Sequence, residues 1–436
     1  QRPDFDLEQI VIHSWEALGG SGGQVDFVGE GALPSAFAVT DFAAAAVATA
    51  GLAIAERLGG RKVVVDRRLA SMWFQLSLRP VGWKLPPLWD PIAGDYACRD
   101  GWIRLHTNAP HHRRAAERVL GAHADRESLA RVVAGWEKSK LEAAVVAEGG
   151  CAAEMRPVSD WEQHPQGRAV AGEPLFHLSG RELLKPAGSR PLAGVRVLDL
   201  TRVLAGPVAT RFLAGYGAEV LRIDPPGWDE PGVVPEVALG KRCARLNLRE
   251  AEDRAIFSRL LSQADILIHG YRPEALERLG FGAGQRKELK PDLVDVSLDA
   301  YGWTGPWAGR RGFDSLVQMS SGIAEAGMRW RKAEKPVPLP VQALDHAAGY
   351  LMAAAAIRGQ SARVSLARIA RLLLDQGPAV PEAALAAETE ADLAAAVEAT
   401  SWGDARRLQP PLTIEGAPMR WDLPARALGW AEARWG

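Results

Sequence analysis

VRVLDLTRVLAGPVATRFLAGYGAEVLRID, residues 195–224, decides the fold. It reads as a strand over 195–200, a helix over 207–216 and a second strand over 219–224. Working outward, 250–263 is an amphipathic helix, 266–269 a strand, 273–279 a short helix and 293–298 another strand. Strands alternating with helices of this length indicate βαβ units and a parallel sheet. Right-handed crossovers would place the helices on both faces. Ligands of such sheets lie beyond the carboxyl ends of the strands. That rule predicts a site near residues 201–205, 224–227 and 269–272.

The chain has 436 residues, enough for two or three domains and for a core that needs no disulfide or metal staple. Lys and Arg total 52 against 53 Asp and Glu, a net charge of −1. This gives no global attraction to nucleic acid or membrane, and leaves room for a local basic groove. Apolar residues at 47% and charged residues at 24% are ordinary for a soluble globular protein and exclude disorder over most of the length. Cys98, Cys151 and Cys243 are far apart and form no C-x-x-C, so the expectation is a reducing, cytoplasmic setting without zinc. Asp4, Asp6, Glu8 and Glu16 against Arg2 do not make a secretory leader. The apolar run 42–55 is too short and too small-sided for a membrane span.

Three landmarks divide the chain. An Ala-rich helix over about 41–57 is followed by Gly59-Gly60 and a strand over 62–66. Pro186-Ala187-Gly188-Ser189-Arg190-Pro191 has the turn chemistry of a linker. A Glu/Ala-rich stretch over about 380–400 reads as a helical connector. The first landmark recurs. Asp41 opens an Ala-rich helix followed by a Val-rich strand and Arg67-Arg68-Leu69-Ala70, and Asp345 opens another followed by a strand and helix from Arg363 on. The two aspartates are 304 positions apart, so one segment is present twice and the chain is no short-period solenoid.

Asp345 has two readings. As a helix N-cap, its carboxylate would accept from the first free N–H groups. As a nucleophile, it would be kept ionised by the helix dipole and could form an anhydride with a thioester. Ala347, Ala348 and Gly349 after it would let a bulky acyl group approach, and Asp41 admits the same two readings. The turn from Thr201 to Pro207 lacks G-x-G-x-x-G, so a nicotinamide dinucleotide has little support. It is either a plain βα loop or a pyrophosphate seat on a helix N-terminus. Gly240-Lys241-Arg242 is a basic pair at a turn, solvated or phosphate-binding. Tyr271-Arg272-Pro273 offers a ring for adenine with a guanidinium beside it. His106, His111 and His112 have no metal-like spacing.

Taken together, these residues resemble the class III CoA-transferase family (the CaiB/BaiF group), which includes formyl-CoA transferase, carnitine CoA-transferase and α-methylacyl-CoA racemase. The resemblance rests on PLAGVRVLDLTRVLAGP from Pro191 and GAEVLRIDPPG from Gly217. It continues through Gly240-Lys241-Arg242, Tyr271-Arg272-Pro273, Gly302-Trp303-Thr304-Gly305-Pro306, Gly312-Phe313-Asp314 and Leu344-Asp345, covering about 190–376. The first half resembles later parts of the same family: the Asp helix from Asp41, the start of the small domain from Asp95, and its end near Val158. The tail from Leu412 resembles the family's last strand.

The resemblance implies an α/β fold: a doubly wound, Rossmann-like large domain with a parallel sheet and a second, smaller α/β domain. The implied division is an Asp-helix segment at 1–84, a small domain at 85–180, a linker at 181–190 and a CoA-binding large domain at 191–376. A helical connector at 377–408 and a C-terminal tail at 409–436, returning to the large domain, complete it. Carried over by position, CoA is held by Arg202, Val203, Leu204, Ala205, Leu246, Gly270, Tyr271, Arg272, Arg278 and Leu279. Asp345 matches the nucleophile, with Asp41 its duplicate. The implied activity is CoA transfer of the EC 2.8.3 type between an acyl-CoA and a carboxylic acid, in a cytoplasmic homodimer, with no metal and no NAD. Two departures bear on the alternatives. Phe313 stands where the racemase branch has a proton-moving His, which weakens a racemase or lyase reading. The order of segments is unusual, which leaves open a non-catalytic CoA-binding paralogue.

Overall fold

The computed structural model describes residues 6–185 and 187–436; Arg2, Asp4 and Pro186 of the expected linker lie outside the described residues. Seven strands form the largest sheet. In chain order they are β1 (His177–Arg181), β2 (Arg196–Asp199), β3 (Glu219–Asp224), β4 (Lys241–Arg245), β5 (Ile266–His269), β6 (Val294–Asp299) and β7 (Gln360–Ser365). Their order across the sheet is β4-β3-β2-β5-β6-β7-β1. All neighbours are parallel except β1, which runs antiparallel to β7. The expected α/β architecture with a mainly parallel sheet is therefore present. The strand order turns back between β2 and β5, and a crevice opens beyond the carboxyl ends at such a point.

All four residues of β5 are buried, as a parallel strand covered on both faces requires. The buried sheet also holds charges that must be matched. Lys241, fully buried, donates from Nζ to the Pro207 carbonyl at 2.8 Å and lies 3.4 Å from Asp199 Oδ2. Thr201 and Thr210 donate their hydroxyls to the same carboxylate. Gly240-Lys241-Arg242 is thus not a solvated basic turn. Lys241 begins β4, because the buried Asp199 needs a cation inside the sheet.

Helices α1 (Val39–Arg57), α2 (Ala205–Gly215) and α3 (Ala343–Ile357) contribute to the main core, α3 packing against both others. The duplicated segment is visible in the backbone. Ala38 before α1 has φ −76° and ψ 62°, and Gln342 before α3 has φ −76° and ψ 67°. Val39 N–H bonds to Phe37 O, and Ala343 N–H to Val341 O, both at 2.8 Å, so the two helices begin with the same inverse γ-turn. Each is followed by a strand and a helix, Val63–Asp66 with Arg67–Trp73 in one case and β7 with Leu366–Asp375 in the other. Asp41 and Asp345 are each the third helical residue, so neither is an N-cap. α1, at 19 residues, is longer than the run 42–55 and matches a membrane span by length and composition alone; 89% of its apolar window is buried inside the protein.

Gly94–Cys98, Gly101–Leu105 and Ala152–Glu154 form a separate antiparallel sheet with its own apolar cluster around Ile103, Leu105, Leu129 and Leu141. Two expected boundaries change. β1 belongs to the large sheet, so the small-domain segment closes before residue 177. The stretch 380–400 is not helical: after Pro378 and Pro381 it runs irregularly to a single 3-10 turn at Glu390–Asp392 and a strand at Glu398–Thr400. Proline breaks the helical ladder there, and Arg68 fixes the chain through the Ala386 and Ala387 carbonyls and the Asp392 carboxylate. In the tail, Arg420 N–H bonds to Gly215 O, and Gly240 N–H bonds to Leu423 O, both at 2.9 Å.

Candidate active site

A cavity of about 490 Å³ lies at the carboxyl ends of β2, β3, β4 and β5. Leu200 and Arg202 follow β2, Asp224 to Pro226 end β3, and Leu246 to Arg249 follow β4. Tyr271 and Leu279 close the side beyond β5. The wall is apolar with a few placed charges, the usual make-up of a small-molecule site. The Arg202 guanidinium stacks on the Trp228 ring, 4.3 Å from its centroid. Its Nη2 is 3.5 Å from the Tyr271 hydroxyl. Asp224 is held from beneath by Arg222, whose Nε lies 2.9 Å from Oδ2.

Four of the residues expected to hold CoA line this cavity: Arg202, Leu246, Tyr271 and Leu279. Val203, Leu204 and Ala205 do not line it; they lead from it into α2. Gly270 and Arg278 are exposed, and Arg272 turns to Glu274 at 3.6 Å. Asn247, Leu248 and Arg249 also line the cavity; the basic pair Lys241-Arg242 looks like a turn and hides the strand that leads to them. The alternation of Lys241, Cys243 and Arg245 with intervening residues into Leu246 was the available signal.

Asp345 is brought toward this region by close helix packing. A Cβ on Gly349, one turn after Asp345, would lie 2.6 Å from the Ala205 carbonyl, so α3 rests directly on the first turn of α2, where the loop from the cavity ends. Asp345 is buried, at 6% exposure. Its N–H donates to Asp314 Oδ2 at 2.8 Å. Gln318 orients Asp314 by donating to Oδ1 at 2.6 Å, and itself accepts Leu339 N–H at 2.8 Å. Among the described residues no side chain hydrogen-bonds or ion-pairs with the Asp345 carboxyl. Burial, and then the charge of Asp314, hold that carboxyl well above the ordinary carboxylate range. Burial raises Asp314 as well. Desolvation and a second carboxylate thus oppose the ionisation that the helix dipole favours.

Asp41 sits differently. Arg67 donates to its Oδ1 from Nη2 at 2.7 Å and from Nε at 3.0 Å. The same guanidinium also reaches the Gly29 and Gly31 carbonyls and Glu382.

Phe313 precedes Asp314 and stacks on His106, the ring centroids 3.7 Å apart. His112 meets the Phe313 ring edge at 5.8 Å. Thus the small antiparallel sheet, through His106 just after its second strand, closes over the residue next to the carboxylate pair. Burial pushes His106 down to about 3 and His112 down to about 4, so both rings are neutral at pH 7. Among the described residues no cluster of three or more His, Cys, Asp or Glu side chains is placed to hold a metal ion.

Residues 192–365 match the family model described as CoA-transferase family III. Acetyl-CoA:oxalate CoA-transferase of Acetobacter aceti is 37% identical over 154 residues, which are 33% of this chain and 39% of the relative. The probable fatty acyl-CoA transferase Rv3272 of Mycobacterium tuberculosis is 32% identical over 183 residues, which are 39% of this chain and 46% of the relative. A crystal structure of Rv3272 matches with 30% identity and a TM-score of 0.38, covering 43% of this chain and 56% of that one. The chain spans less than half the length of these two curated relatives.

Proposed function

We propose, from the match of residues 192–365 to the CoA-transferase family III model, that this chain moves CoA from an acyl-CoA donor to a carboxylic acid, with Asp345 as the covalent carrier. The observation that carries this reading is the unpaired, buried Asp345 on a helix packed against the first turn of α2, which the loop from the 490 Å³ cavity enters. The cavity would take the nucleotide end of CoA: Tyr271 and Arg202 offer a ring and a guanidinium, and Arg249 a second cation for phosphate oxygens. The strand order supports reading the large domain as doubly wound and Rossmann-like. We extend the reading to a homodimer in a reducing cytoplasm, with which the three free thiols are compatible.

The chemistry balances without a redox step. With the shared proton passed to Asp314, the Asp345 carboxylate attacks the thioester carbonyl; the C–S bond breaks, giving a mixed anhydride and CoA thiolate. The thiolate attacks the aspartyl carbonyl, forming an aspartyl-CoA thioester and releasing the donor acid. The acceptor carboxylate then displaces the thiolate as a second anhydride, and the thiolate takes the acceptor acyl group, restoring Asp345. Asp314 would position Asp345 through its N–H and share the proton the pair retains when empty. Asp41 is set aside as nucleophile, since Arg67 already occupies it. A racemase would need a base beside the α-carbon. Phe313 cannot supply one, and His106, lowered to about 3, is a weak one.

The test is transfer itself. The protein is incubated with acetyl-, succinyl- and longer acyl-CoA donors and a panel of mono- and dicarboxylic acids, and new CoA thioesters are sought by mass spectrometry. At least one donor and acceptor pair should give product. Tight CoA binding with no transfer from any pair would favour the non-catalytic paralogue.

A further inference from the structure

We propose that Glu230 is the positioning residue for the CoA loop, acting through the backbone of Val203. The proposal rests on the reading that the cavity takes CoA. Val203 has φ 65°, one of two non-glycine residues with positive φ among those described, the other being Lys332. For a β-branched side chain this region is strongly disfavoured and persists only where the surroundings impose it. The restraint is visible: Val203 N–H donates to Glu230 Oε1 at 2.8 Å.

Glu230 is in turn fixed from below. Its Oε2 accepts from Arg222 Nη2 at 3.1 Å. Arg222 is fully buried on β3 and also binds both oxygens of Asp224, at 2.9 and 3.2 Å. Asp224 lines the cavity. One chain of charges, buried at Asp224 and Arg222 and partly exposed at Glu230, therefore runs from the cavity floor to the strained peptide.

The strained residue lies between the two parts of the loop that matter. On one side Arg202 lines the cavity, its guanidinium laid on Trp228, two residues before Glu230. On the other side Leu204 and Ala205 lead into α2, where the Ala205 carbonyl meets Gly349 of the Asp345 helix. If Val203 relaxed to negative φ, the chain direction would change between these two anchors, and Arg202 would leave the cavity wall or Ala205 would leave α3. Glu230 thus sets the angle between the nucleotide site and the carboxylate site without touching the ligand.

The test is a double-mutant cycle read by calorimetric titration with free CoA, with thermal melting of every variant as a check on folding. Glycine takes positive φ freely and needs no restraint. Glu230→Ala should raise the Kd for CoA roughly 10- to 100-fold, the range for one lost hydrogen bond to a charged group. The same substitution in a Val203→Gly background should change Kd by less than about threefold, because the restraint no longer has strain to oppose. Should Glu230→Ala fail to fold, Glu230→Gln carries the same comparison, with a rise of about 3- to 10-fold in the first background only. Equal losses in both backgrounds, or a loss below about twofold with Val203 present, would overturn the proposal. If the unsubstituted protein binds no CoA, the assignment of the cavity fails first, and the positioning role with it.

Discussion

Arg67 holds Asp41 through two nitrogens on one carboxylate oxygen, at 2.7 and 3.0 Å, while the equivalent carboxyl of Asp345 accepts no hydrogen bond and faces no cation among the described residues. The two aspartates occupy the same position after the same backbone turn. Only their neighbours differ. The closed copy is structural in this account, and the open one is chemical. Asp41→Asn should cost about 1 kcal/mol, since the pair is partly solvated, and should leave acyl transfer within about twofold. Urea unfolding and the transfer assay check this; loss of transfer without loss of stability would reverse the assignment.

The raised carboxyls of Asp345 and Asp314 set a sign for pH. The folded protein keeps protons on this pair that the unfolded chain releases above about pH 4. Stability from the pair is complete below that point and is lost as pH rises through the folded-state values. Asp345→Asn removes both the burial of an ionisable group and its repulsion with Asp314. The variant should be more stable than the parent at pH 8, with a flatter dependence of the urea midpoint between pH 5 and 8. Parallel curves for the two proteins would contradict the description of the site.

Lys241 is matched inside the sheet by Asp199, with neither side chain exposed. Lys241→Met should therefore destabilise by about 3–5 kcal/mol, the cost of leaving a buried carboxylate without its cation. Arg222 nearby will soften this only in part. Equilibrium unfolding measures it, and a change under 1 kcal/mol would restore the solvated-turn reading.

Gly349 allows α3 to rest on the Ala205 carbonyl, where a Cβ would stand at 2.6 Å and also meet Val208 at 2.8 Å. Gly349→Val should destabilise by about 1–3 kcal/mol through overpacking. It should also lower the rate of transfer more than CoA affinity, because the displaced element carries Asp345 and not the cavity. Equal effects on both would indicate general damage.

The parallel sheet was legible because its strands are short apolar runs at regular spacing: β3 and β5 match their expected bounds residue for residue. β4 was hidden because Lys241 and Arg242 look like surface residues, and only the fold shows that Lys241 answers Asp199. The Glu/Ala-rich stretch misled in the opposite way. Its composition is helical, but Pro378 and Pro381 at its start and the Arg68 anchor impose an extended path. At the site, Arg202, Leu246, Tyr271 and Leu279, which the family resemblance implies as CoA contacts, line the cavity, and Asp345, which it implies as nucleophile, lies on the helix that meets Ala205. The pairing of Asp345 with Asp314, the Arg67 clasp on Asp41 and the His106 stack on Phe313 join residues 26 to 207 positions apart. No local pattern encodes such contacts.

The most direct test of the central claim is to trap the carrier. The protein is mixed with a panel of acyl-CoA donors, quenched with hydroxylamine, digested and analysed by mass spectrometry. The account predicts an aspartyl hydroxamate on the peptide containing Asp345, dependent on the donor and absent from Asp345→Asn, with none on the Asp41 peptide. A hydroxamate on Asp41, or transfer activity with no adduct on either aspartate, would contradict it.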